Sequence, residues 1–259
     1  MKLIDKLNRE LAEQAAIITT TWYNPDSEVE VVRSRLALDM LRAAADLGYG
    51  VVVVDSGSSQ EFVREIERYG VTVISEKHRT IGYGRRLALS EALKTDRRVI
   101  AWTEPEKVTY LPDLVKTVAP ILGDYADLVI PKRRSLDSYP LFQQHLEIFG
   151  NLFWRELTGT DLDMWFGPRT WHRDISHYFL DYDGEYGDKW DCIYIPVLDA
   201  VIDQKRVLGV EVDYVNPAEQ TAVEEHNLGY YKKRLEQLDN LTKSLAAHWE
   251  KRTGQKLSS

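Results

Sequence analysis

The chain has 259 residues, 44% of them apolar, which is enough for the core of a large α/β unit and too much for a disordered protein. Its 41 acidic residues outnumber 33 basic ones, and the formal charge of −8 excludes a protein that grips nucleic acid through a clustered basic face. Cys192 stands alone and cannot form an internal disulfide, and no apolar run reaches the length of a bilayer span, so a soluble protein of the reduced cytoplasm is expected. Leu3, Leu7 and Leu11 recur at helical spacing, predicting a short N-terminal helix docked on the domain. "AAIITTTWY" (15–23) predicts the first strand, and "VEVVRSRLALDMLRAAADLG" (29–48) a helix closed by Gly48. "YGVVVVDSGSS" (49–59) reads as a second strand entering a Ser/Gly loop, followed by the helix "QEFVREIERYG". "VTVISE" (71–76), "RRVIAWTE" (97–104) and "ADLVIPKRR" (126–134) are further strands, separated by the helical segments "YGRRLALSEALKTD" and "LPDLVKTVAPILGDY".

After residue 135 the alternation stops. A long amphipathic helix over "SYPLFQQHLEIFGNLFWRELTG", another over "WDCIYIPVLDAVIDQ" (190–204), a late strand "VLGVEVDYV" (207–215) and a C-terminal helix carrying Leu228, Leu235, Leu238, Leu241 and Leu245 complete the chain. Strand–helix alternation predicts a mostly parallel, Rossmann-like α/β sheet. No repeat, low-complexity tract or Gly/Ser linker interrupts it. One domain over 1–259 is therefore expected, with a ligand-binding half (15–134), a second half (135–224) and a terminal helix with its tail (225–259).

In such a sheet the loops leaving the strand carboxyl ends converge on one edge. Thr20 to Asp26, Asp55 to Ser59, Glu76 to Arg86 and Glu104 to Lys107 would meet there. Asp55 ends an all-valine strand, where a carboxylate either caps the next turn or meets a ligand. "HRTIGYGRR" offers Gly82 and Gly84 for close backbone approach, a helix N-terminus, and the cations Arg79, Arg85 and Arg86; it lacks the pattern of a phosphate-binding P-loop. Glu104 and Glu106 flank Pro105 at the end of a buried strand. Two like charges so close form either a solvated acidic loop or a seat for a hard divalent cation such as Mg²⁺ or Mn²⁺.

The ordered series "IITTTWYNPDSE", "VVVVDSGSS", "GYGRRLALSEAL", "VIAWTEPEKVTYLPDLV" and "DLVIPKRR" resembles the nucleotide-binding half of GT-A glycosyltransferases, particularly family 2 enzymes such as dolichyl-phosphate mannosyltransferase. "TGTDLDMWFGPRTWHR" is similar to their segment after the interdomain helix. "KWDCIYIPVLDAV" followed by "EEHN" resembles the retaining mannosylglycerate synthases. The resemblance covers about residues 15–230. It implies transfer of a sugar from a GDP- or UDP-linked donor to a hydroxyl acceptor with a divalent cation. Asp55 matches the base-contacting position, Glu104 and Glu106 stand where the family carries "DxD", and His226 matches a third metal ligand. The glutamates are one methylene longer than the family's aspartates.

On this resemblance Thr20, Tyr23, Asp55, Arg79, Gly82, Arg85 and Glu104 would hold the donor, and Glu104, Glu106 and His226 the metal. Asp191 is the first candidate base, followed by Asp161 and Asp163; Asp191 is equally readable as a helix cap. Arg133, Arg169, Trp165 and Trp190 would line the acceptor side, although buried tryptophans also suit an ordinary core. Two alternatives stand beside the transferase. One is a catalytically silent sugar-nucleotide-binding protein, and the other a sugar nucleotidyltransferase, whose Gly-rich loop "TTTWYNPDSE" does not supply. The terminal helices offer surfaces for a homo-oligomer.

Overall fold

The computed structural model describes residues 2–76 and 80–257, and the side chains of all of these except residues 2 and 3. Seven strands, β1 (Ala15–Thr21), β2 (Gly50–Asp55), β3 (Thr72–Ser75), β4 (Val99–Trp102), β5 (Leu128–Arg133), β6 (Arg169–His172) and β7 (Val207–Val212), form one sheet in the order β3-β2-β1-β4-β6-β5-β7. Every pairing is parallel except those of β6, which runs antiparallel to both β4 and β5. The helices are α1 (Lys2–Ala12), α2 (Glu28–Asp46), α3 (Gln60–Arg68), α4 (Ile81–Ala92), α5 (Leu114–Leu122), α6 (Leu141–Thr158), α7 (His177–Leu180), α8 (Ile195–Ile202), α9 (Ala218–Glu224) and α10 (Leu228–Thr253).

Alternation along the strands sends side chains to two cores. Ile17, Val51, Val53, Val99, Ala101 and Val129 pack with Met40 and Leu41 of α2 and Val118 of α5. Ile18, Val52, Val54, Ile100, Trp102 and Ile130 pack on the other face with Leu89 of α4, Trp154 of α6 and Leu198 of α8. Burial on both faces explains the unbroken valine run of β2. Ser27, Ser59, Thr80 and Asn227 cap α2, α3, α4 and α10, each accepting a backbone N–H from three residues on.

The sequence reading holds for the strands up to β5 and for β7, and misses β6. Residues 169–172, "RTWH", carry an arginine into a buried strand, a pattern that periodicity cannot recognise. The expected helix over 190–204 starts as a short 3-10 turn at Asp191–Ile193, and Pro196 sits in the first turn of α8. The short α9 is a further element that periodicity does not predict. No helix among the described residues is long and apolar enough to cross a membrane.

Candidate active site

The chain leaves β1 in one direction toward β2 and β3, then returns to β4 on the other side of β1. This reversal opens a crevice beyond the carboxyl ends of β1 and β4, where open α/β sheets place their ligands. A small pocket beside it, about 280 Å³ including its open mouth, is lined by Ile18, Arg85, Trp102, Trp171, Cys192 and Ile193.

Pro105 separates the acidic pair. Glu106 is 5% exposed and belongs to the α2 side: its Oε1 accepts from the Tyr23 hydroxyl at 2.9 Å and pairs with Arg33 Nε at 3.1 Å. Arg33 also meets Glu30 at 3.3 Å. Burial and the Glu106 charge hold the Tyr23 phenol well above its ordinary 10.0, so it remains a hydrogen-bond donor. Glu104 turns instead toward the loop before β6. A Cβ on Gly167 would lie 2.2 Å from Glu104 Oε1, and Gly167 has φ of +103°, so two constraints demand glycine there. Glu104 Oε2 is buried without a hydrogen-bond partner.

An unpartnered buried carboxylate oxygen at the crevice is the donor a hard cation requires. Glu104 therefore fits a divalent ion. Glu106 is already neutralised. His226 is exposed, with φ of +60°, and its backbone N–H donates to the Tyr231 hydroxyl. Among the described residues no three His, Cys, Asp or Glu side chains are grouped to hold an ion, so the expected ligands Glu104, Glu106 and His226 are not brought together.

The three candidate bases are likewise committed. Asp191, 4% exposed, accepts from the Tyr182 hydroxyl at 2.6 Å, Asp188 N at 3.1 Å and Lys189 N at 2.7 Å; it ties down the loop before it, and no side chain caps the short 3-10 turn that it starts. Asp161 is exposed and paired with Lys132. Asp163 is gripped by Arg133, Nε to Oδ2 and Nη2 to Oδ1 both at 2.8 Å, and by Asn151 at 2.9 Å. Burial works to raise the Asp163 pKa, but Arg133 and Asn151 outweigh it and hold the carboxyl below its ordinary value. It is a poor proton acceptor.

The expected acceptor side is also core. Arg133 pairs with Glu147 at 2.6 Å besides Asp163, and its side chain is fully enclosed. Arg169 is 0% exposed and donates to the carbonyls of Pro168 and Met164; burial lowers its pKa. Trp165 is wedged against Gly150 and meets Tyr194 edge to face. Trp190 alone of the four stays half-buried.

Among the donor candidates, Tyr23 is buried and Asp55 organises its own loop. Asp55 Oδ1 accepts from Gly57 N and Ser58 N at 3.0 Å, and Oδ2 from the Thr21 hydroxyl at 2.8 Å. Gly82 makes room for protein, not ligand: a Cβ there would lie 1.9 Å from Asp188 Oδ1. Asp188 has φ of +56°, and its carboxylate sits at the start of α4, bound by both Nη atoms of Arg86 (2.6 and 2.9 Å) and by the Thr80 hydroxyl. Sequence reasoning missed this internal anion, although the crowded "YGDKWD" and Gly82 of "IGYG" are its trace. Arg85 lies over the Trp102 ring at 4.1 Å and donates to Cys192 Sγ and the Lys189 carbonyl. Thr20 stands half-buried at the end of β1 with its methyl against Gly84. Arg79 lies outside the described residues.

The sheet order, the switch point between β1 and β4, the antiparallel β6 and the long C-terminal helix define a GT-A type α/β fold. Solved structures share it. Glucosyl-3-phosphoglycerate synthase from Mycobacterium tuberculosis with phosphoglyceric acid aligns over 96% of this chain and 85% of its own, at TM-score 0.60 and 14% identity. The same enzyme with Mn²⁺, uridine-diphosphate-glucose and phosphoglyceric acid aligns over 96% and 84%, at TM-score 0.61 and 15% identity. Its complex with Mn²⁺, uridine-diphosphate-glucose and glycerol 3-phosphate aligns over 97% and 86%, at TM-score 0.60 and 13% identity. No family model matches the sequence, and no curated protein does.

Proposed function

We propose that this protein is a glycosyltransferase that moves a hexose from a nucleotide-diphosphate sugar to a hydroxyl acceptor with the help of a divalent cation. The observation that carries this reading is the buried, unpartnered oxygen of Glu104 at the switch-point crevice of a GT-A fold. In the reaction the acceptor oxygen bonds to the anomeric carbon, the bond from that carbon to the diphosphate oxygen breaks, and the acceptor proton passes to the departing nucleoside diphosphate or to water.

Glu104 and the donor diphosphate would hold the ion, which when bound neutralises the leaving group. Gly167 fixes where the Glu104 carboxylate stands. Arg85, set by Trp102 and Cys192, adds positive charge beside the pocket, and the Trp102 and Trp171 walls limit water there. The Arg33, Tyr23 and Glu106 group serves as scaffold, tying the loop after β4 to α2. Uridine is favoured over guanosine because the structural neighbours hold uridine-diphosphate-glucose, and their acceptors suggest a small anionic hydroxy compound.

A catalytically silent nucleotide-sugar binder is the second reading, favoured by the commitment of Glu106 to Arg33 and Tyr23. A thermal-shift panel of UDP and GDP with and without Mn²⁺ tests both. Ligand at 100 times its dissociation constant adds about 2.7 kcal/mol, and the transferase reading expects a Mn²⁺-dependent shift with UDP. Release of glucose from UDP-glucose then separates enzyme from binder. No shift with either nucleotide would refute both readings.

The protein is further proposed to pair with a second copy. Leu141, Ile148, Phe149 and Leu152 of α6, together with Leu228 and Leu235 of the adjoining α10, are each at least 39% exposed. Apolar side chains clustered on neighbouring helices favour association. Light scattering should give a dimer mass for the wild type and a monomer for Phe149→Glu; a monomeric wild type at tens of micromolar would contradict the pairing.

A further inference from the structure

We infer that Lys107 selects an anionic acceptor, its ammonium meeting the acceptor's phosphate or carboxylate group; the assignment rests on the donor reading above. The turn across Pro105 sends its charged side chains to different places. Glu106 pairs with Arg33 and Tyr23 beside α2, and Glu104 stands close to Gly167. Lys107, whose N–H donates to the Glu104 carbonyl at 3.2 Å, places Nζ over the Phe166 ring at 4.7 Å and the Tyr214 ring at 5.0 Å. The ammonium thus rests on the residue next to the glycine that seats the Glu104 carboxylate. Both rings are fixed: they are 2% and 5% exposed with centroids 4.8 Å apart, Tyr110 meets Phe166 edge to face, and the Tyr214 hydroxyl donates to Asn216 Oδ1 at 3.0 Å.

This cation has no counter-ion. Lys107 is half-buried, and among the described residues it makes no ion pair and no side-chain hydrogen bond. Arg133, which lies over the same Phe166 ring at 4.8 Å, is by contrast neutralised by Glu147 and Asp163. Aromatic rings hold an ammonium in place but leave its charge uncompensated. The sheet order says which anion it meets. β1, β2 and β3 lie on one side of β4, and β6, β5 and β7 on the other. Phe166 leads into β6 and Tyr214 follows β7, so Lys107 leans away from the crevice between β1 and β4, where the nucleotide belongs. An anionic acceptor entering on that side is repelled by Glu104 and by the donor diphosphate. Lys107 offsets this repulsion as a point charge, and it gives a neutral acceptor nothing comparable.

Titration calorimetry tests the assignment on wild type, Lys107→Met and Lys107→Arg, each saturated with UDP and Mn²⁺, with inorganic phosphate, glycerol 3-phosphate and glycerate as probes. Methionine keeps an apolar stem on the two rings and removes the charge. Wild type should bind at least one of the three anions. That affinity should fall about tenfold or more in Lys107→Met, the loss of one charge-assisted contact, and be largely kept in Lys107→Arg. UDP affinity in Mn²⁺ should be the same in all three proteins. Equal anion affinity in wild type and Lys107→Met, or a wild type that binds UDP but none of the anions, would overturn the role of Lys107 and leave the donor reading standing. So would a fall in UDP affinity in Lys107→Met, which would put the ammonium on the donor diphosphate instead. A wild type that binds no UDP would overturn both.

Discussion

Glu104→Gln is expected to lower sugar transfer by about a hundredfold or more, roughly 2.7 kcal/mol of lost transition-state stabilisation, with the melting temperature almost unchanged. The two side chains have the same shape, and Glu104 Oε2 has no hydrogen-bond partner to lose. What disappears is the charge that would attract the cation. Glu106→Gln makes the opposite expectation. It weakens the Arg33 ion pair at 3.1 Å and the Tyr23 hydrogen bond at 2.9 Å, so it should destabilise the protein while leaving metal affinity nearly intact. Turnover assays with a Mn²⁺ titration, beside thermal melts, read both variants. Equal loss of metal affinity in the two would contradict the division of labour across Pro105.

Arg133→Met is expected to cost about 3–5 kcal/mol of stability. The guanidinium pairs with Glu147 at 2.6 Å and Asp163 at 2.8 Å, and all three residues are buried. Removing it strands two carboxylates in the core. The network continues outward: Glu147 accepts from Gln143 Nε2 at 2.6 Å, and Gln143 Oε1 from the Tyr230 hydroxyl on α10 at 2.6 Å. Loss of the arginine should therefore loosen the seat of α10 on α6. Arg133→Lys should not rescue, because an ammonium cannot make the paired contacts. Urea unfolding measures the change, and a loss under about 1 kcal/mol would show the carboxylates to be solvated.

The same cluster sets a pH dependence. Asp163 has a folded pKa below its ordinary 3.8. Its contribution is therefore full above the unfolded value and is lost as the pH falls through the folded one. Acid unfolding below about pH 4 should be shallower in Asp163→Asn, which begins from lower stability.

The strands other than β6 were legible because those at the centre are buried on both faces, and "VVVV" or "VIAW" between turn residues is too short and too apolar for a surface helix. The crevice was legible too, since parallel strands bring their carboxyl-end loops together. Individual roles were less so. Asp191, Asp163 and Arg133 look in sequence like free catalytic or binding groups. Only the tertiary structure brings Tyr182 to the first and pairs the other two. Arg33 was hidden on what reads as the polar stripe of an ordinary amphipathic helix, and nothing local shows that it faces the distant Glu106. Tyr23 and Trp22 stand side by side in "TTWYN", and the sequence favoured the tyrosine; the fold buries it and leaves the tryptophan in solvent.

The place where a nucleotide diphosphate and its cation would sit is tested most directly by a crystal structure of the protein grown with UDP and Mn²⁺, since anomalous scattering locates the ion. Manganese is predicted on the Glu104 carboxylate, with the diphosphate in the crevice between β1 and β4. Manganese bound away from Glu104, or a nucleotide lodged outside that crevice, would contradict it.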